Sequence, residues 1–159
     1  MFDVYDFPAA FKTPHNPTKP FFSIKFTLND QGIKLPLFGE CVQAGFPSPA
    51  DDWLEDAIDL NQHLVKNPAA TFLMRVAGDS MKDAGILHGD VVAVDRSLQP
   101  KPGRIVVASV GGEFTLKRLS RLRGKLWLMP ENADYQPIEI TDDLEVVAVG
   151  VVVSVLRQL

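Results

Sequence analysis

Gly103–Leu119, GRIVVASVGGEFTLKRL, reads as a β-hairpin. Arg104–Val110 is a strand-like run rich in β-branched residues, and Gly111-Gly112 is a two-residue hairpin signal. On the returning segment, Glu113–Leu119, successive side chains alternate between faces. Thr115, Lys117 and Leu119 share one face, while Phe114, Leu116 and Arg118 share the other. Whichever face is buried therefore carries a basic residue inward. A buried lysine gives up its proton more readily, because an apolar surrounding disfavours the charged form. A neutral lysine can act as a base towards a serine hydroxyl.

The serine that answers this description lies upstream, in Val76–Asp95, VAGDSMKDAGILHGDVVAVD. Gly78 lets the chain bend sharply before Asp79-Ser80. A short helical segment is expected to follow, with Asp79 or Ser80 capping its free N–H groups. A hydroxyl at that place lies beside unpaired amides and the positive end of a helix, which suits a nucleophile that needs an oxyanion site. The same Gly-Asp-Ser pattern also makes ordinary surface turns. On local pattern both readings of Ser80 stand, and Ser80 with Lys117 is the candidate pair. Gly89-Asp90 is a further turn signal, leading into the apolar strand Val91–Val94.

These motifs give the chain a resemblance. Gly78-Asp79-Ser80-Met81, Gly89-Asp90 with its strand, Gly112–Lys117, and the upstream peptide Gln43-Ala44-Gly45-Phe46-Pro47-Ser48-Pro49-Ala50 occur in order. The separations of Ala44, Ser80 and Lys117 also agree with those of the LexA/UmuD family of self-cleaving serine–lysine peptidases. Over residues 34–159 the chain resembles that family, on its UmuD-like side. The resemblance implies a mostly β fold, a curled or barrel-like multi-stranded sheet with few short helices. It implies Ser80 as nucleophile, Lys117 as base, the backbone N–H groups of Asp79 and Ser80 as oxyanion donors, and Ala44–Gly45 as the bond cut. Residues 1–44 would then be an N-terminal arm removed by self-cleavage, and residues 45–159 the peptidase-like body.

The family further implies a homodimer, a RecA–single-stranded-DNA filament as trigger, and a processed form that serves a UmuC-like Y-family translesion polymerase. Rival classes are a LexA-type repressor, a regulator with a vestigial Ser/Lys pair, and a peptidase of other proteins such as a signal peptidase. The last normally needs a membrane anchor.

Composition narrows the field. The net charge of −4 gives no general attraction to nucleic acid, so direct sequence-specific DNA binding is not expected. The prolines of residues 1–33, Pro8, Pro14, Pro17 and Pro20, leave little room for a helix-turn-helix domain. Cys41 is the single cysteine, so no intramolecular disulfide forms. His15, His63 and His88 lack metal-ligand spacing, and neither a metal nor another cofactor is expected. The N-terminus does not read as a signal peptide. Val146–Leu156, the longest apolar run, is too short for a membrane helix of about 20 residues and reads as a buried strand. A cytoplasmic location is expected.

The remaining chain fills in around the pair. Residues 9–20 read as a flexible arm, and Phe21–Leu28 as a short strand. Leu35-Pro36-Leu37-Phe38 either docks on a partner, such as a polymerase or sliding clamp, or packs on the chain's own body. In the scissile segment, small Ala44 fits a narrow pocket, and Gly45 lets the backbone approach the nucleophile closely. Asp59 can cap a short helix over Leu60–Val65, which Pro68 stops from continuing. Thr71–Val76 delivers the chain to Ser80 as a strand, Lys125–Met129 is another, and Asn132–Pro137 reads as a polar connection.

Overall fold

The expected hairpin sits in the middle of a mostly β structure. The computed structural model describes residues 11–12, 34–35 and 57–159. In chain order the strands are β1 (Phe11–Lys12), β2 (Lys34–Leu35), β3 (Ile58–Asp59), β4 (Thr71–Arg75) and β5 (Val91–Asp95). They continue as β6 (Ile105–Val110), β7 (Glu113–Leu122), β8 (Lys125–Met129), β9 (Ile138–Glu139) and β10 (Val146–Leu156). The β6–β7 turn has φ of 56° at Gly111 and 90° at Gly112, the two positive values that a tight hairpin turn demands.

The main sheet runs β4-β5-β10-β6-β7-β8-β9, with β1 added to β10. Every neighbouring pair along that path is antiparallel. β10 is shared between two neighbours: Val146–Val151 pair with β6, and Val151–Leu156 pair with β5. The register slips on the β6 side between Ala148 and Gly150. At Gly150 the strands come so close that a Cβ would stand 2.7 Å from Val94 Cγ1 and 2.9 Å from the Asp95 carbonyl oxygen. Backbone on a neighbouring strand cannot yield as a side chain can. Gly150→Ala should therefore lower stability by about 1–3 kcal/mol in a chemical denaturation measurement.

Both faces of this sheet are covered. Val106, Ala108, Leu119, Leu126, Leu128, Val146 and Ala148 belong to one buried cluster, and Phe72, Met81, Val92, Val94, Val107 and Val149 to another. Alternate residues of β6 and of Val146–Val151 thus enter different cores, which explains why that part of β10 reads as continuous apolar sequence rather than as an alternation. On β7, Leu119 is fully buried and Lys117 is 6% exposed, so theirs is the inward face.

One expectation is corrected at two residues of the 9–20 arm, Phe11 and Lys12. Within the supposed flexible arm, β1 pairs in parallel with β10, Phe11 opposite Val146 and Lys12 opposite Val147. Phe11 is 5% exposed and belongs to the first cluster. Pro8 and Pro14 leave between them a gap wide enough for a two-residue strand. An aromatic ring supplies the apolar area that holds it there.

Residues 25–66 form a separate unit. In it β2 pairs with β3, Lys34 opposite Asp59 and Leu35 opposite Ile58. Asp59 Oδ1 accepts from the N–H of Asn61 at 2.9 Å and of Gln62 at 3.3 Å, capping helix α1 (Leu60–Leu64) as its sequence suggests. Leu35 is 46% exposed. The expected strand at 21–28, Pro36–Phe38, Cys41, and the scissile Ala44–Gly45 all lie outside the described residues. Among the described residues no helix is long and apolar enough to cross a membrane.

Candidate active site

β4 and the hairpin strand β7 deliver the two candidate residues to one cleft. After β4 the chain turns at Gly78, whose φ of 84° a residue with a Cβ adopts only under strain. The Gly78 N–H donates to His88 Nδ1 at 3.1 Å, which ties the turn to the loop before β5. Ser80 follows, and Met81 (1% exposed) plugs the second apolar cluster and fixes the turn from below. From β7, Lys117 Nζ lies 3.0 Å from Ser80 Oγ. It also stands 2.9 Å from Thr115 Oγ1 and 3.0 Å from the Leu116 carbonyl oxygen.

The surroundings favour a neutral amine. Met74, Val76, Val92, Val107 and Leu116 line the cleft of about 360 Å³ that holds the pair. Among the described residues no carboxylate forms an ion pair with Lys117. Burial pushes the Lys117 ammonium below the usual lysine range. The three contacts suit the uncharged form as well. Its two N–H groups can reach the Thr115 hydroxyl and the Leu116 carbonyl, leaving the lone pair for the Ser80 O–H.

The turn is braced from an unexpected side. Asn132–Pro137, read as a plain polar connection, grips Asp79 together with Glu131 just before it, which holds Ser80 and Asp83. Glu131 N–H donates to the Ser80 carbonyl at 2.8 Å, and Asp83 N–H donates to the Glu131 carbonyl at 2.9 Å. Asn132 (3% exposed) donates through Nδ2 to the Asp79 carbonyl at 3.1 Å. The Tyr135 hydroxyl donates to Asp79 Oδ1 at 2.5 Å, and its ring centre lies 5.9 Å from Lys117 Nζ. That hydrogen bond holds the Asp79 carboxyl below its ordinary range and pushes the Tyr135 phenol up. A lone tyrosine inside the otherwise polar Asn132–Pro137 was the one sign of this in the sequence.

Tyr135 also displaces the expected cap. The helical segment after Ser80 is a three-residue 3-10 turn, Lys82–Ala84, with no side-chain cap. Asp79 contributes only its carbonyl, accepting from Lys82 N–H at 3.1 Å. So short a turn supplies no appreciable dipole, and local amides must do any oxyanion work. The Ser80 N–H makes no hydrogen bond among the described residues.

An ion pair between buried Asp90 and exposed Arg157 secures the far side of the loop. Asp90 (3% exposed) accepts from Leu87 N–H at 2.7 Å, and from Arg157 Nε at 2.7 Å and Nη2 at 2.5 Å. Arg157 Nη2 also reaches the Gly85 carbonyl at 2.8 Å. The guanidinium holds the Asp90 carboxyl down at about 2, so this tie is fully charged at any pH above the ordinary carboxylate range. Among the described residues no cluster of three or more His, Cys, Asp or Glu is arranged to hold a metal.

Comparison with known proteins adds to this geometry. The family described as Peptidase S24-like matches residues 36–153. Protein SamA of Salmonella typhimurium is 46% identical over 114 residues, 72% of this chain and 80% of its own length. Protein ImpA of Escherichia coli is 50% identical over 90 residues, 57% of this chain and 62% of ImpA. LexA repressor 1 of Pseudomonas syringae pv. tomato is 43% identical over 125 residues, 78% of this chain and 61% of the repressor.

Proposed function

The chain belongs to the Peptidase S24-like family, and from that premise we propose that it is a serine peptidase that cuts its own Ala44–Gly45 bond. The observation that carries this is a buried lysine amine 3.0 Å from a serine hydroxyl, in a cleft of about 360 Å³. Ser80 Oγ attacks the Ala44 carbonyl carbon as its proton passes to Lys117 Nζ. The Ser80 and Asp79 N–H groups stabilise the oxyanion. Lys117 then gives the proton to the Gly45 nitrogen as the C–N bond breaks. Water, deprotonated by Lys117, attacks the acyl ester and frees the Ala44 carboxylate and Ser80.

The resemblance to UmuD-like proteins supports a wider proposal. The protein acts in the SOS response to DNA damage as a homodimer. A RecA–single-stranded-DNA filament triggers the cut, and residues 45–159 then serve as accessory subunit of a UmuC-like Y-family translesion polymerase, with the sliding clamp as a further contact. The similarity to LexA repressor 1 favours a second reading, transcriptional repression. Sequence-specific DNA binding by the purified chain would establish that reading, and the net charge of −4 argues against it.

Intact mass after incubation with the filament, or at raised pH, tests the chemistry. The expected product begins at Gly45, and N-terminal sequencing that starts elsewhere would remove this site. Ala44→Asp should block the cut by bringing a charge to a pocket sized for a methyl group, with the melting temperature unchanged.

A further inference from the structure

Two strand pairings join residues that precede Ala44 to residues that follow it. β1 lies along the start of β10, and β2 lies along β3. A break at Ala44–Gly45 severs neither pairing, because each strand and its partner stand on opposite sides of the bond.

The β1 pairing has a place prepared for it. Val146 and Val147 pair with Val110 and Ser109 of β6 on one side. β5 takes up β10 only from Val151 onward, so the other side of Val146–Val147 is filled by β1. Phe11 is buried there among the first cluster, with Val146, Ala148, Leu119 and Leu126. Loss of β1 would uncover that apolar socket together with a short open strand edge, both unfavourable in water.

On the self-cleavage reading above, we infer that residues 1–44 stay bound after the cut as a strand-paired second chain. Scission then changes the tether and not the fold: an intramolecular contact becomes a two-point contact between chains. While one anchor opens, the other keeps the fragment at high local concentration. The processed body is fully uncovered only when this fragment is displaced.

Size exclusion of the self-processed full chain, carrying an N-terminal tag and diluted in steps, tests this. Residues 1–44 should co-elute with 45–159. In Phe11→Ala they should separate at a protein concentration about a hundredfold higher, as expected for losing one buried aromatic anchor. Immediate separation in the unsubstituted protein, at the same concentration as in Phe11→Ala, overturns the inference. A Ser80→Ala chain with a protease recognition sequence inserted between Ala44 and Gly45, cut by added protease, gives the same reading whether or not self-cleavage occurs. Amide exchange at Val146, whose N–H faces away from β6, supplies a second measure in protein without the Phe11 substitution. Slow exchange after the cut supports retention, and exchange as fast as in exposed loops refutes it.

Discussion

Ser80→Ala and Lys117→Ala should each leave the full chain uncut, lowering the self-processing rate by at least about a thousandfold. On the proposed mechanism the two side chains act as one unit, since the serine is a weak nucleophile without a base and the lysine makes no acyl intermediate alone. Lys117→Arg separates this role from that of a buried positive charge. An arginine keeps the charge and does not deprotonate in proteins, so it should be as inactive as alanine. Lys117→Met, which fills the same space, should be inactive yet folded, because the core around Leu119 and Leu128 does not depend on the amine. Intact mass against time, with a thermal melt of each variant, reads all four. Processing by Lys117→Arg at the parent rate would sink the lysine-base proposal.

How much of this the sequence discloses depends on the range of the interaction. The β6–β7 hairpin is legible because Gly111-Gly112 and a period of two are local signals. The inward turn of Lys117 is half legible. Alternation puts a basic residue on either face of β7, and only packing against Leu119's cluster decides between Lys117 and Arg118. Arg118 instead pairs with Glu131 and reaches the Gly103 carbonyl.

Contacts between distant segments were not legible. The sequence offers Asp79 as a local cap, but Tyr135 takes its carboxylate from far along the chain, and a long-range hydrogen bond overrides a local propensity. Likewise β1 exists only because β10 presents an unfilled side at Val146–Val147, which nothing near Phe11 reveals. Both misses concern the surroundings of the Ser80–Lys117 pair and the arm rather than the pair itself.

Raising the pH from about 7 towards 10 should speed spontaneous self-processing, by roughly tenfold per pH unit while Lys117 is mostly protonated. The rate should then level off below the ordinary lysine value of 10.5, because burial lowers the folded-state value. Neighbouring groups do not distort this profile. Asp79 is held below its ordinary range and Tyr135 above its own, so their hydrogen bond keeps its protonation through most of the window. Loss of structure cannot mimic the acceleration either. With the folded-state value of Lys117 depressed, the unfolded chain binds more protons in the interval between the two values. This group's contribution to stability therefore rises with pH there. The stability difference between the parent and Lys117→Met should shift in the parent's favour over the same interval, measurable by denaturation at pH 7, 8.5 and 10. A processing rate that stays flat across the window would count against lysine as the base, whatever the distance between Nζ and Oγ.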